Sequence, residues 1–297
     1  MARPGHPIQR AVRGVGVFLV SGFSLSIGFI ESRDRNLLLR FAAGRYFRLT
    51  VPVLAACALV HLAIVSGLMN VGPDRHASYL AMFGFDPTLE HLFRFALFDV
   101  YFRYEFSQTY LGVLWTMSYE LLGSYLLLLV LFISPGRPIA FVLLLAVILV
   151  AFFYFYKNAM GVYIPLFFIG ALLAQAFSAG WIAKLPRFVP VLALMLGSGL
   201  PLFFSSQALP GGIVVGWVTA LFVVGCIGTT SVREFLSSPF SHYLGKLSFP
   251  LYLVHGPLLH LIGEPALRIF GYSTSRIGFG SCSHLPVLCF RSPDSSS

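Results

Sequence analysis

The chain has 297 residues, of which 57% are hydrophobic and only 10% are charged, and its mean hydropathy is +0.83. A soluble globular domain needs more polar surface than this, so the composition excludes that class and predicts a polytopic membrane protein. The formal net charge of +9 could indicate a nucleic-acid partner. The basic residues are scattered between apolar runs, however, and are better interpreted as topology signals and contacts to anionic groups.

Several apolar runs are long enough, or nearly so, to cross a bilayer as helices. They lie at 14–30, 49–69, 111–133, 139–156, 162–178, 189–204, 212–228 and 248–263. The sequence therefore predicts an all-α polytopic bundle of about eight spans over residues 1–272. Residues 273–297 are Ser-rich and are expected to form an irregular tail.

Basic residues in the connections predict the orientation of these spans. One side collects Arg33, Arg35, Arg40, Arg45, Arg48, Arg137, Lys184, Arg187, Arg233 and Lys246, whereas the other side has Arg75, Arg94, Arg103 and Lys157. The richer side is expected to be cytoplasmic. The basic segment 1–13 then lies outside, a conflict that one further upstream helix would remove.

The long connection 70–110 is expected to be external. Phe95, Phe98 and Phe102 fall on one face of a predicted helix within it. The pattern indicates an interfacial or re-entrant helix lining a mouth, or a brace on the membrane surface.

Glu120 is the most informative residue in the chain, because it lies in the apolar stretch 114–133. A carboxylate inside a spanning helix costs about 2.5–3.5 kcal/mol on insertion scales, so it normally faces a wet or protein-lined cavity. Trp115, Ser118 and Ser124 accompany it at helical spacing. Interfacial anchoring and interhelical hydrogen bonds would explain these three residues, but they do not explain Glu120.

A second polar face is predicted in the last apolar run. Ser248, Tyr252 and His255 follow one another at i, i+4 and i+7 and so share one helical face. Such a face requires a cavity or the polar face of another helix. His255 is either a base or, more simply, a histidine that hydrogen-bonds between helices, and His61 in the second run has the same alternatives.

Other chemical motifs are missing from the sequence. There is no P-loop, nucleophile elbow, dinucleotide-binding fingerprint or histidine–carboxylate cluster at metal-ligand spacing. We therefore expect no metal site and no bound cofactor. Cys57 and Cys226 lie in apolar runs and are interpreted as packing residues, and Gly212 with Gly216 predicts close helix packing.

Four stretches together resemble one family, the integral-membrane acyltransferases of acyltransferase family 3. Residues 17–23 are similar to its "FFVLSGF" segment, and 45–48 match its cytoplasmic R-x-x-R. Residues 114–124 resemble its "LWTxxxE…GS" stretch, and 244–257 resemble its "LGxxSYxLYLxHxP" segment. The order and spacing of these stretches carry the resemblance over about 240 residues.

The resemblance implies transfer of an acyl group, in particular acetyl, from acyl-CoA to a hydroxyl of a carbohydrate or similar acceptor. Arg45 and Arg48 are then expected to bind the donor together, since guanidinium groups suit its phosphates. Glu120 is expected to position the acceptor or to pair with a cation, with His255 as a second catalytic candidate. A further set is expected to line the cavity: Trp115, Ser118, Ser248 and Tyr252.

The sequence departs from the family at both ends. Members have ten helices, and the first carries the histidine thought to be the base, whereas here His6 lies outside any apolar run. We therefore expect one helix to be missing at each end, as in a truncated or mis-started gene product, so that the chain as given could be inactive. A polytopic transporter or flippase, with Glu120 and His255 lining a path, is the alternative function.

Overall fold

The computed structural model describes residues 15–69, 82–133, 159–203 and 211–269, together with 144 and 147. These residues form α-helices joined by turns, and no strand is present in the ranges described. The α-helices with described bounds are α1 (Val15–Ser32), α2 (Arg35–Val65), α3 (Leu89–Arg94), α4 (Val100–Phe102), α5 (Thr116–Ile133), α6 (Ala159–Ser178), α7 (Phe188–Phe203), α8 (Gly211–Gly228), α9 (Thr230–Leu236) and α10 (Pro239–Ile269). The expected all-α class is confirmed for this part of the chain.

Two described helices, α2 and α5, are long and apolar enough to cross a membrane. A third span results if residues 216–228 of α8 and α9, which are bent by 90°, count as one unit. Shorter apolar helices occupy residues 16–32, 163–178 and 188–200. The expected count of about eight spans is not confirmed, and the predicted run 139–156 (apart from 144 and 147), the segment 1–13 and the tail 273–297 lie outside the described residues.

The basic connection predicted between the first two spans is instead largely helical. Only residues 33 and 34 separate α1 from α2, and Asp34 caps α2 by accepting a hydrogen bond from the backbone N–H of Asn36 at 2.8 Å. Arginine favours helices, and its aliphatic stem covers apolar surface, so this Arg-rich stretch extends the helix. Similarly, α10 begins at Pro239 and not near 248.

The segment between α2 and α5 folds back against α2. Helix α3 continues through a π-helical turn, Phe95–Asp99, into α4. The extra residue of the π turn changes which side chains share a face. Phe95 is fully buried, whereas Phe98 and Phe102 are exposed and contact each other. The prediction that these three phenylalanines lie on one face is therefore wrong, although the predicted helix is present.

Two apolar clusters meet along α5. One cluster joins α1, α5, α6 and α8 and includes Phe18, Leu127 and Phe167. The other joins the C-terminal half of α2, the folded-back segment and α10, and it includes the start of α5 through Met117 and Leu121. The second turn of α5, which carries Glu120, therefore lies between the clusters.

Close glycine contacts bring the remaining helices together. A Cβ added at Gly197 of α7 would lie 2.5 Å from the backbone N of Phe222, and one at Gly225 of α8 would lie 2.5 Å from the backbone of Leu194. The predicted packing role of Gly216 is confirmed, since its Cβ would meet Leu166 at 2.9 Å. Cys57 is fully buried and Cys226 half-buried, as expected for packing residues.

Candidate functional site

The centre of the candidate site is an ion pair between two apolar helices. The Nη2 group of Arg45 on α2 donates to Oε1 of Glu120 on α5. The two side chains are only 12% and 7% exposed. Isolated charges at such depth would be strongly unfavourable, and each of these ions compensates the other. The expectation that Glu120 pairs with a cation is met by Arg45.

Two serines complete the polar contacts of the pair. Ser21 on α1 donates a hydrogen bond to Oε1 of Glu120 at 2.6 Å. Ser124, one turn after Glu120, accepts a bond from Nε of Arg45 at 3.0 Å and donates to the carbonyl of Glu120 at 2.5 Å. The site is thus assembled from three helices, and hydroxyl groups lower the cost of burying both charges.

Glycines determine how closely these helices approach. A Cβ at Gly22, the neighbour of Ser21, would lie 2.0 Å from the carbonyl oxygen of Phe167 on α6. A Cβ at Gly123, the neighbour of Ser124, would lie 2.4 Å from the ring of the same phenylalanine. Small residues allow such contacts between helices in a membrane. Phe167 therefore contacts both helices that supply the serines.

Further hydrogen bonds hold α5 in place around Glu120. Tyr125 donates to the carbonyl of Ala42 on α2 at 3.1 Å. Ser118 donates to the carbonyl of Val100 on α4 at 3.0 Å. One bond lies on each side of the glutamate along α5, so the carboxylate is held on a rigid element.

One oxygen of the carboxylate has no hydrogen-bond partner among the described residues. This oxygen is Oε2 of Glu120, which is buried. A carboxylate oxygen is an acceptor only, and an unpaired buried acceptor is costly. The arrangement can therefore accept a hydrogen bond from a hydroxyl donor that enters the site.

Arg48 does not join Arg45 in this arrangement. Its side chain is exposed and makes no ion pair with any residue that the structure describes, whereas Arg45 is buried against Glu120. The expectation that the two arginines bind one donor together stays a prediction, and the structure adds that the charge of Arg45 is already paired with Glu120. Arg35 and Arg40 are also exposed on the same N-terminal half of α2.

Trp115 and Ser118 border the site without touching the ion pair in the described contacts. Trp115 is half-buried and packs against Tyr119 and Tyr163, with ring centroids 6.0 and 5.4 Å away. Ser118 bonds to the folded-back segment, as described above. Both contacts are those of residues that pack and anchor the start of α5.

The polar face of α10 is separate from the ion pair. Ser248 is exposed and bonds to the carbonyl of Leu244, and His255 is exposed and contacts the carbonyl of Tyr252 through Nδ1 at 2.6 Å. Tyr252 is half-buried and lies beside Thr116, one turn before Glu120. The structure brings only Tyr252 close to the site. His255 makes no described contact with Glu120, and its role as a second catalytic candidate stays a prediction.

His61 belongs to another buried contact, at the opposite end of α2. The hydroxyl of Tyr110 lies 3.3 Å from Nδ1 of His61 and 3.1 Å from Nδ1 of His91. A hydroxyl can donate to one of these nitrogens and accept from the other, so Tyr110 can bridge the two imidazoles. No described group of three or more histidine, cysteine or acidic side chains is placed to hold a metal ion.

Apolar helices that bury a compensated ion pair agree with an integral-membrane protein. The family model for the acyltransferase domain matches residues 16–281, which is most of the chain. The protein therefore belongs to acyltransferase family 3, as the resemblance indicated. Neither a curated protein nor a solved structure matches the chain.

Sequence reasoning identified Glu120 but missed its partners. Ser21 is part of the apolar stretch 17–23, where one hydroxyl among hydrophobic residues resembles an ordinary packing serine. Its signal was the adjacent Gly22, because a small pair in an apolar helix indicates a close helix contact. The choice of Arg45 over Arg48 as partner for the glutamate had no such signal.

Proposed function

We propose that this protein transfers an acyl group from acyl-CoA to a hydroxyl of a carbohydrate or similar acceptor. Membership of the family supports an acyltransferase function. The proposal adds the identity of the donor, of the acyl group and of the acceptor. In the reaction, the acceptor oxygen forms a bond to the acyl carbon and the thioester C–S bond breaks. The hydroxyl proton ends on the departing CoA thiol.

The observation that carries this proposal is the unpaired, buried oxygen of Glu120. Oε1 is engaged by Arg45 and Ser21, while Oε2 is buried without a described partner. A hydroxyl that donates to Oε2 would be oriented with its oxygen lone pairs free for attack, inside a site of low dielectric constant. We assign Glu120 to positioning the acceptor and Arg45 to holding that carboxylate ionised.

The donor is assigned to the exposed arginines at the N-terminal half of α2. Arg48, Arg40 and Arg35 are exposed there. Arginine binds phosphate through planar, paired donors, so these residues suit the phosphates of CoA. Arg48 is the nearest of them along the helix to Arg45 and takes the donor role that the sequence assigned to both.

Purified protein in lipid nanodiscs, supplied with acetyl-CoA and a mixture of saccharides, tests the proposal through release of free CoA thiol. Arg48→Ala should raise the KM for acetyl-CoA about tenfold with little change in kcat, and Arg48→Lys should restore it in part. Arg233→Ala, at an exposed arginine on α9, is the matched control.

Substitutions at the ion pair and at α10 separate the roles further. Glu120→Gln retains the shape of the side chain and should lower kcat about a hundredfold if the carboxylate positions the acceptor. His255→Ala should leave kcat unchanged, because this histidine is exposed and contacts only its own helix in the described structure. If the protein neither bound acetyl-CoA nor transferred its acetyl group, the proposal would be overturned and the transporter would be favoured.

A further inference from the structure

A cavity lies beside the segment between α2 and α5, away from the ion pair. Its volume is about 850 Å³, and its lining comes from residues 83–108. Cavities of about 300–1,000 Å³ are typical of small-molecule sites. The residues assigned above to the donor, to the acceptor hydroxyl and to the ion pair do not line this cavity.

One wall of the cavity consists of stacked rings. Phe85 and His91 lie with their centroids 3.9 Å apart and their planes 16° from parallel. His91 also stacks on the buried Phe95, at 5.8 Å and 15°. The hydroxyl of Tyr110 holds Nδ1 of His91 at 3.1 Å, so the orientation of the ring is constrained from behind. His91 is therefore stacked between Phe85 and Phe95, and Phe85 is the outer ring of this pre-positioned stack.

The charges of the cavity exclude an anionic ligand. Four carboxylates line it, against two guanidinium groups: Asp86, Glu90, Asp99 and Glu105, with Arg94 and Arg103. One guanidinium is already paired, since Nε of Arg94 lies 3.2 Å from Oδ2 of Asp99. A CoA thioester carries phosphates and would be repelled here, in contrast to the exposed arginines on α2.

Both hydrogen-bond donors and hydrogen-bond acceptors line the cavity. Oδ1 of Asp99 is buried and has no partner among the described residues. Gln108 and Thr88 add groups that both donate and accept, and Arg103 adds donors. Gln108 already donates to the carbonyl of Gly84 at 3.3 Å and Thr88 accepts from the backbone N–H of His91 at 3.1 Å, so their remaining donor and acceptor positions serve a ligand. A sugar hydroxyl also donates and accepts, so it can satisfy such a mixture, whereas an organic cation would use the acceptors alone.

The aromatic end of the cavity is distant from the buried arginine, whereas the segment that carries Asp99 approaches α5 and contacts Tyr46 of α2 through the carbonyl of Leu97. Its aromatic wall is joined through Tyr110 to His61, which lies sixteen residues after Arg45 on α2, or roughly 24 Å at the helical rise. Its other end reaches Asp99, next to Val100, whose carbonyl is bonded by Ser118 of α5. An elongated ligand is needed to extend from the wall towards Glu120.

We propose that this cavity binds a neutral oligosaccharide, with one sugar face on Phe85, which His91 supports from behind, and with hydroxyls on Asp99 and Gln108. Its identification as the acceptor rests on the proposed transferase function, whereas the binding itself does not. The ring wall takes the C–H face of a pyranose, and the mixed polar groups take its hydroxyls. The donor and the acceptor would then enter at opposite ends of α2.

Calorimetric titration of the protein in nanodiscs, without any acyl donor, tests the binding. The probes are maltotriose, cellotriose and chitotriose, with choline as a cationic comparison. Saturable binding of at least one trisaccharide, tighter than that of choline, is expected. Binding of none of the three, or preference for choline, would overturn the proposal.

Two substitutions with matched controls test the location. Phe85→Leu keeps an apolar side chain but removes the ring, and it should weaken the bound trisaccharide about tenfold. Phe93→Leu, at an exposed phenylalanine of α3 outside the cavity lining, should not change affinity. Glu105→Gln should weaken binding about threefold, whereas Glu234→Gln on α9 should have no effect. Equal affinity for Phe85→Leu, Glu105→Gln and the unsubstituted protein would contradict the assignment.

The same variants separate this inference from the proposed function. Trisaccharide binding that is lost in Phe85→Leu, without any acyl transfer by the unsubstituted protein, would leave the site valid and refute the transferase role. Transfer to a saccharide with an unchanged KM in Phe85→Leu would support the transferase and refute this cavity as its acceptor site.

Discussion

Two polar regions lie beside α2, the Arg45–Glu120 pair and the cavity at 83–108, and they accommodate charge in different ways. The Arg45–Glu120 pair is buried, compensated one to one and enclosed by helices that touch at glycines. The cavity at 83–108 is open, carries an excess of carboxylates and has an aromatic wall. The first region couples function to folding, since a charge left alone there is costly. The second region can change its ligand contacts with little effect on stability.

The largest expected effect tests that coupling directly. Glu120→Ala leaves Arg45 buried without its counter-ion and should destabilise the protein by about 3–5 kcal/mol. A double substitution, Arg45→Met with Glu120→Leu, removes both charges and should recover much of this loss. The measurement is the fraction of monodisperse protein after heating in detergent. A double variant that is less stable than Glu120→Ala would show that the charges are not coupled in this way.

The glycine contacts are expected to give the next largest effect. Gly22→Ala places a Cβ against the backbone carbonyl of Phe167 and should cost at least about 1–3 kcal/mol, because backbone cannot move aside cheaply. Gly44→Ala is the matched control, since a Cβ there meets nothing within 4 Å. It should be neutral or slightly stabilising, because alanine favours helices. Equal melting temperatures for the two variants would contradict the close approach of α1 and α6.

A smaller effect is expected at the serine that bonds to the carboxylate. Ser21→Ala removes a 2.6 Å hydrogen bond to a charged oxygen and should cost about 1–2 kcal/mol and lower acyl transfer. Ser24→Ala, which removes an exposed bond to the carbonyl of Ser21 in the same helix, should change neither quantity. Thermal stability and CoA release, measured on both variants, distinguish the two serines.

The smallest effect concerns the cavity and depends on pH. Burial lowers the pKa of His91 in the folded protein, so its neutral form is favoured relative to an unfolded value of about 6.5. Its contribution to stability is complete above about pH 6.5 and is lost as the pH falls towards the folded-state pKa. Between pH 7.5 and 5.5, His91→Gln should therefore lose less stability than the unsubstituted protein. An equal loss in both would show that His91 does not contribute.

The elements that sequence reasoning predicted well are those with a simple apolar signal. The apolar runs at 14–30, 162–178, 189–204 and 212–228 agree within a few residues with the helices α1, α6, α7 and α8, although their count as membrane spans is not confirmed. The predicted start of α2 was wrong, because basic residues were assumed to mark a connection when they extend the helix. The prediction that Phe95 and Phe98 share one helical face was also wrong, because no pattern in the sequence indicated the π turn.

The amino-acid sequence by itself determined that this is a helical membrane protein of acyltransferase family 3 with one carboxylate buried in an apolar helix. The helical, apolar class follows from composition and local patterns, which need no knowledge of neighbours, whereas the family follows from the resemblance of four stretches to its members. Only the tertiary structure decided that Arg45, not Arg48, compensates Glu120, that Ser21 joins them, and that His255 does not. These pairings join residues 75 and 99 positions apart, and helix packing at glycine contacts selects them.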